Sequence, residues 1–132
     1  MDILVDTSVL IAVITNEPTR PRLIEITTGA QLCAPESVPW EIGNAFSAML
    51  KRKRATLEQI QRAWSVYQQI PIRFVPIDMG HALTIAAKYD IYAYDAYFIT
   101  CALQHKSALI TLDGGLREAA RQAGVTILEV TP

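Results

Sequence analysis

The stretch ILVDTSVLI, residues 3–11, decides the fold because it changes from strand to helix at a single acidic residue. Its first three residues form an apolar run typical of a short buried strand, and from Val9 onward apolar residues recur as on the inner side of a helix. Asp6 therefore stands where the strand ends and the helix begins. Helix capping alone explains an acid at such a place, because its side chain accepts a free backbone N–H. A further role for Asp6 depends on the other acids of the chain.

The same alternation of strand and helix continues along the chain. Five runs rich in apolar or β-branched residues predict strands: ILVD (3–6), QLCAPE (31–36), IRFVPI (72–77), ALITLD (108–113) and VTILEV (125–130). Helical patterns occupy 8–14, 21–27, 38–54, 56–70, 80–89, 95–105 and 116–123. Strands that alternate with helices predict a parallel sheet in an α/β domain. The two long helices in succession, 38–54 and 56–70, predict a helical hairpin over one face of that sheet.

Length and composition predict one soluble domain spanning residues 1–132. Hydrophobic residues make up 51% of the 132 and the mean hydropathy is +0.21, which indicates buried parallel strands or an apolar surface for a partner. No apolar run approaches the ~20 residues that span a bilayer. Asp2 stands where a signal peptide would carry positive charge. We therefore expect a cytoplasmic protein without a membrane segment. Cys33 and Cys101 lie among apolar neighbours, as expected of core residues in a reducing compartment.

Four acids fall at the beginnings of predicted helices: Asp6, Glu41, Asp95 and Asp113. Capping and the helix dipole explain each of them singly. Asp6 and Asp113 also end strand runs, and the carboxyl ends of parallel strands form the edge where open sheets bind ligands. Glu41 lies beside the apolar stripe of its helix, to which we also assign Trp40. Asp95 lies in a run with no Lys or Arg from Tyr89 until Lys106. A carboxylate in apolar surroundings is costly unless something pairs with it.

A divalent cation would resolve the cost of these carboxylates. Acids brought to one point raise one another's pKa unless a cation neutralises them. Hard oxygen ligands with no His or Cys beside them suit Mg²⁺ or Mn²⁺ and argue against zinc. In phosphoryl chemistry such an ion orients the scissile phosphate and lowers the pKa of the attacking water.

Three motifs in this order, VDTSVLIAV, EIGNAF and YAYDAYFITCALQHKSALITLD, resemble the PIN-domain ribonucleases. In particular they resemble the VapC-type toxins of type II toxin–antitoxin pairs. The resemblance implies a PIN fold, with a five-stranded parallel sheet of order 3-2-1-4-5 flanked by helices on both faces. It also implies cleavage of RNA phosphodiester bonds with Mg²⁺ or Mn²⁺, leaving a 5′-phosphate and a 3′-hydroxyl. Carried over by position, the metal-binding and catalytic acids are Asp6, Glu41, Asp95 and Asp113, with Thr111 orienting Asp6 and Thr7 or Ser8 in support.

The same resemblance implies an RNA substrate, a cognate antitoxin protein that covers the acidic groove, and a homodimer. A stand-alone PIN nuclease of RNA processing fits the motifs as well. The non-enzymatic alternative is a silent PIN scaffold that binds RNA or protein, although a scaffold has no need of all four acids. A phospho-acceptor receiver domain is disfavoured because Asp6 is followed by Thr7 and Ser8 instead of a further acid, and VTILEV contains no Lys.

One dense basic run, KRKR, ends the helix that contains Glu41. It comprises Lys51, Arg52, Lys53 and Arg54, whereas the chain as a whole has 12 Lys and Arg against 13 Asp and Glu, a net charge of −1. Positive charge at a helix C-terminus is favourable by itself, and contact with RNA phosphates is equally consistent with the run. The two interpretations are compatible. Gly114 and Gly115 follow Asp113 directly and predict a flexible loop there.

Overall fold

Residues 1–130 are described by a computed structural model with four strands and seven helices in that part of the chain. In chain order they are β1 (Asp2–Val5), α1 (Thr7–Ile14), α2 (Arg20–Thr27), β2 (Gln31–Pro35), α3 (Val38–Lys51), α4 (Leu57–Gln68), β3 (Ile72–Val75), α5 (Met79–Tyr89), α6 (Ala93–His105), β4 (Ala108–Ile110) and α7 (Gly114–Gln122). The strands form one parallel sheet of order β3-β2-β1-β4, flanked by helices. The predicted α/β class and the order of these four strands are confirmed.

The central strand β1 determines where the site lies. Its last three residues are at most 1% exposed, as expected for a parallel strand covered on both faces. Leu4 pairs with Cys33 of β2 on one side and with Leu109 of β4 on the other. The Asp6 N–H then donates to the Ile110 carbonyl at 3.3 Å. As a result the chain leaves β1 and β4 at neighbouring points of the same sheet edge, with Asp6 at one of them.

The prediction of a fifth strand at VTILEV is wrong. In the described part of that segment, contact with β4 is limited to an isolated bridge between Leu109 and Ile127. The Leu109 N–H donates to the Thr126 carbonyl and its carbonyl accepts from Leu128 N–H, both at 2.9 Å. Backbone groups of successive strand residues point to opposite sides, and β4 has three residues. Because the backbone groups of Ala108 and Ile110 point towards β1, Leu109 alone offers its N–H and carbonyl to this segment, and the contact is a single bridge.

Most helix boundaries lie within two residues of the prediction, and the largest difference is at the end of α3. The helix α3 ends at Lys51, not at residue 54, because the chain turns through Arg52 and a left-handed Lys53 with φ 57°. The next helix begins at a capping box formed by Thr56 and Gln59. The predicted helical hairpin is present as α3 and α4, which contact each other. No helix in the described range is long and apolar enough to cross a membrane.

The helix α6 packs across β1, β2 and β4 and supplies much of the buried core. Six of its residues are buried: Ala96, Phe98, Ile99, Thr100, Cys101 and Ala102. Cys33 and Cys101 are both buried and neither forms a disulfide, in agreement with packing roles. The first turn of α6 is thereby held against the sheet, so the position of Asp95 is set by the core beneath it.

Candidate active site

Asp6 is buried and held by three hydrogen bonds. It is 4% exposed, and its Oδ1 accepts from the Val9 N–H at 3.2 Å and from the Ser8 hydroxyl at 2.6 Å. Its Oδ2 accepts from the Thr111 hydroxyl at 2.6 Å. Burial raises the pKa of Asp6, these hydrogen bonds oppose the rise, and the charge of Asp113 adds to it. Asp6 therefore does cap α1, but it is also fixed by Thr111, which follows the neighbouring strand β4.

Two hydroxyls join the loop after β1 to the loop after β4. The Thr111 Oγ1 that donates to Asp6 also accepts from the Asp113 N–H at 3.0 Å. The Ser8 Oγ in turn accepts from the Leu112 N–H at 3.0 Å. Because each hydroxyl both donates and accepts, the two acid-bearing loops are held together by complementary bonds.

Glu41 lies in the first turn of α3 and is held by two further hydroxyls. Its Oε1 accepts from Thr7 Oγ1 at 3.2 Å and its Oε2 from Ser37 Oγ at 3.0 Å. Burial raises the pKa of Glu41 to about 7, although the two hydrogen bonds act to lower it. The charges of Asp6 and Asp95 also raise this pKa. Ser37 occupies the N-cap position of α3 without a side-chain cap bond. Its contact with Glu41 was missed, although the i, i+4 spacing was a signal.

Asp95 differs from the other acids because it has no hydrogen-bond partner among the described residues. It lies half-buried in the first turn of α6. Burial raises its pKa, and the charges of Asp113 and Asp6 raise it further. An unpaired carboxylate in such surroundings is costly, and a cation removes that cost.

Asp113 caps α7. Its Oδ1 accepts from the Gly115 N–H at 2.9 Å and from the Leu116 N–H at 3.2 Å. The expectation of a flexible loop at Gly114 and Gly115 is wrong, because this cap starts the helix at Gly114. A Cβ at Gly115 would come within 3.3 Å of the Asp113 carboxylate, which explains why a glycine suits that position.

The four acids come from four different parts of the chain and influence one another electrostatically. The charges of neighbouring acids raise the pKa of Asp6, Glu41 and Asp95. Across residues 1–130, no group of three or more acidic, His or Cys side chains is arranged closely enough to hold a metal ion. The donors are all carboxylate oxygens with free lone pairs, the set that suits a hard divalent cation such as Mg²⁺ or Mn²⁺.

The basic run lies away from the four acids. Lys51, Arg52, Lys53 and Arg54 are exposed at the far end of α3, and ten residues of helix from Glu41 to Lys51 span about 15 Å. A nearer cation, Arg117 of α7, was missed in the sequence. Its guanidinium donates to the Thr111 carbonyl at 3.2 Å, and no sequence motif marked it.

Trp40 does not lie on the inner side of α3, contrary to expectation. It is 72% exposed, whereas Val38, Ile42 and Phe46 are buried. These three recur every four residues, and a residue two positions from Val38 points to the opposite side of a helix. The indole therefore projects into solvent next to Glu41.

The PIN domain family matches residues 3–122, a range that includes all four acids. The chain belongs to the PIN domain family. PIN domains are generally nucleases, and the match extends from the central strand to the last helix of this PIN domain.

Solved structures support the same fold. The Pyrobaculum aerophilum protein PAE2754 superposes on this PIN domain with a TM-score of 0.74 at 19% identity, covering 96% of this chain and 83% of the other. VapBC2 from Rickettsia felis, bound to a DNA fragment from its promoter, gives 0.70 at 14% identity, covering 97% and 98%. A toxin–antitoxin complex from Klebsiella pneumoniae gives 0.62 at 18% identity, covering 84% and 86%. No curated protein sequence matches the chain significantly.

Proposed function

We propose that this PIN domain, residues 1–132, is an endoribonuclease that requires Mg²⁺ or Mn²⁺ and cuts RNA with Asp6, Glu41, Asp95 and Asp113. The observation that carries the proposal is the carboxylate of Asp95, which has no hydrogen-bond partner within residues 1–130 and interacts electrostatically with the three other acids. Burial and mutual repulsion raise the pKa of Asp6, Glu41 and Asp95. Such an arrangement does not stabilise the fold, whereas a cation site requires acids that lie close together.

Each acid has a separate part in the proposed reaction. Asp6 is held in one orientation by Ser8 and Thr111, so its contribution to the cation site is pre-organised. Asp95 offers carboxylate oxygens from the first turn of α6, and Asp113 offers them from the N-cap of α7. When bound, Mg²⁺ or Mn²⁺ supplies positive charge to the phosphate and lowers the pKa of the attacking water. Glu41, held by Thr7 and Ser37 next to the other acids, is the candidate to take the proton of that water.

Replacing Thr111 by Val should weaken metal binding by roughly 10- to 100-fold without abolishing it. The change removes the bond to Asp6 and leaves the Asp113 N–H without its acceptor, so stability should also fall by about 1–3 kcal/mol. Calorimetric titration with Mn²⁺ measures the affinity. Thr111→Ser retains the hydroxyl and should bind metal like the wild type. An unchanged titration in Thr111→Val would remove the orienting role.

We further propose that the basic run binds RNA phosphates away from the scissile bond. Replacing Lys51, Arg52, Lys53 and Arg54 by Gln should weaken RNA binding at low salt and reduce the slope of log affinity against log salt by about 2 to 3. Binding measured by fluorescence anisotropy at several salt concentrations tests this. The matched control is Lys88→Gln, a change at an exposed residue of α5. A slope equal to that of wild type would mean that the run only stabilises a helix end.

We propose that the chain acts as the toxin of a VapBC-type pair. VapBC2 and the Klebsiella pneumoniae toxin–antitoxin complex share its fold, which supports an antitoxin protein as partner. The antitoxin would cover the acidic edge, with an Arg pairing with the carboxylates or an inserted helix. Homodimer formation and a cytoplasmic location belong to the same proposal. Induced expression in a bacterial host should arrest growth, whereas Asp95→Asn expressed at the same level should not. Normal growth with active, soluble wild-type nuclease would favour an RNA-processing role.

A further inference from the structure

Arg117 holds one end of a peptide group inside the candidate site. Its guanidinium donates to the Thr111 carbonyl at 3.2 Å. The N–H of the same peptide group belongs to Leu112 and donates to the Ser8 hydroxyl at 3.0 Å. Because the peptide group is planar, bonds at its carbonyl and at its N–H together set its orientation. Arg117 and Ser8 therefore act on the same element of the loop between β4 and α7.

The orientation of this peptide group determines where the Thr111 hydroxyl lies. The preceding peptide group is held as well, because the Ile110 carbonyl accepts from the Asp6 N–H at 3.3 Å. With both flanking peptide groups held, the side chain of Thr111 has a fixed direction, and the residue is 1% exposed. Its hydroxyl then donates to Asp6 at 2.6 Å and accepts from the Asp113 N–H at 3.0 Å. A change at the Thr111 carbonyl is thereby transmitted to two of the four acids.

The helix dipole does not explain a cation at position 117. Arg117 lies in the first turn of α7, four residues after the N-cap Asp113, whose carbonyl accepts the Arg117 N–H at 3.0 Å. Positive charge is unfavourable near a helix N-terminus, where the backbone dipole is itself positive. By contrast, Arg121 lies in the last turn, where positive charge is favourable, and it pairs with the exposed Glu129. The bond to Thr111 accounts for the direction of the Arg117 side chain.

We propose that Arg117 is a positioning residue for the cation site, acting through the Thr111 carbonyl to keep the Thr111 hydroxyl bonded to Asp6. A charged donor makes a stronger hydrogen bond than a neutral one. Arg117 is only half-exposed to solvent, which strengthens the bond further. This inference rests on the proposed metal-dependent function, because the effect that it predicts is on metal affinity.

Calorimetric titration of the chain with Mn²⁺ tests the role. Arg117→Met removes the donor while keeping an extended side chain, and it should weaken Mn²⁺ binding by roughly 3- to 30-fold. Arg117→Lys retains a charged donor and should recover most of that loss. The matched control is Arg121→Met, one turn further along α7, which removes the ion pair with Glu129 and should leave Mn²⁺ affinity unchanged.

Amide hydrogen exchange in EDTA provides a measurement that requires no metal. The Asp113 N–H is protected by its bond to the Thr111 hydroxyl. Arg117→Met should therefore speed exchange of this amide roughly tenfold more than exchange of the Leu4 amide in the central strand, which reports global unfolding. Arg121→Met should change the two amides equally. Equal changes in Arg117→Met would overturn the positioning role.

A double variant shows whether Arg117 acts through Thr111. The Thr111→Val chain has already lost the hydroxyl, so adding Arg117→Met should lower Mn²⁺ affinity by less than about twofold further. If the second change instead costs as much as it does in the wild type, Arg117 acts by another route and the inference is overturned.

Failure of this inference can be told from failure of the proposed function. If the wild type binds Mn²⁺ and cuts RNA while Arg117→Met binds Mn²⁺ equally well, the positioning role is overturned and the nuclease stands. Thermal melting shows whether each variant is folded, and an unfolded Arg117→Met would make Arg117 a structural residue and overturn the role too. A wild-type chain that binds no Mn²⁺ and cuts no RNA overturns the proposed function, and this inference with it.

Discussion

Replacing Asp95 by Asn is expected to reduce RNA cleavage on the order of 10³-fold or more, and at the same time to raise the melting temperature of the metal-free protein. The loss of cleavage follows because a neutral amide cannot supply the charge that Mg²⁺ or Mn²⁺ needs at this edge. The gain in stability follows because Asp95 has no hydrogen-bond partner in the described structure and its pKa is raised by burial and by Asp113 and Asp6. Removing such a charge relieves repulsion, by about 2–4 °C in melting temperature.

The matched control for this change is Asp78→Asn. Asp78 also begins a helix, where its Oδ1 accepts from the His81 N–H at 3.1 Å, and Asn caps a helix as well as Asp does. It should retain full cleavage and nearly unchanged melting. If Asp95→Asn instead unfolds the chain, then Asp95 is a structural residue. If it cuts RNA at the wild-type rate, the acid has no part in catalysis.

The second large effect is an unusual dependence of stability on pH in the metal-free protein. The pKa of Glu41 is about 7 in the folded chain against an ordinary 4.5. The folded protein therefore binds more protons than the unfolded chain between these values, and its free energy of unfolding falls as pH rises from about 4.5 to about 7. Below that range the contribution of Glu41 is fully present, and above it the contribution is lost. The raised pKa of Asp6 and of Asp95 acts in the same direction.

Urea unfolding at several pH values, in EDTA and in Mg²⁺, measures this effect. Glu41→Gln should reduce the slope without removing it, because Asp6 and Asp95 remain. Saturating Mg²⁺ should reverse the trend, since the ion binds the ionised carboxylates and stabilises the fold more as pH rises. An equal slope in Glu41→Gln would mean that other groups bind the protons, and a trend unaffected by Mg²⁺ would speak against a cation site.

Much of the fold could be predicted because its strands are short apolar runs between helical segments. The strand-to-helix junction at Asp6 and the four-strand order are present as predicted. The fifth strand could not be excluded from composition, since VTILEV has the residues of a strand. The contact is a single bridge because Leu109 alone, in a strand of three residues, offers its backbone groups to this segment. Residue types alone do not reveal such hydrogen-bond geometry.

The acids of the candidate site could be picked out because each begins a helix in a recognisable motif. Their hydrogen-bond partners were harder to foresee. Ser37 has the usual identity of an N-cap residue, yet it donates to Glu41. Trp40 has the usual identity of a core residue, yet the register set by Val38 and Ile42 turns it outward. In both cases residue type favoured a common role, and the orientation in three dimensions decided otherwise.

The most direct test of the central claim is cleavage of an end-labelled RNA by the purified chain in Mg²⁺, in Mn²⁺ and in EDTA, with analysis of the product ends. Asp6→Asn prepared in parallel controls for contaminating nuclease. Our account predicts cutting with either metal, none in EDTA or with Asp6→Asn, and products that carry a 5′-phosphate and a 3′-hydroxyl. Cutting that persists in EDTA, or products with a 2′,3′-cyclic phosphate, would contradict a metal-dependent site built from these four acids.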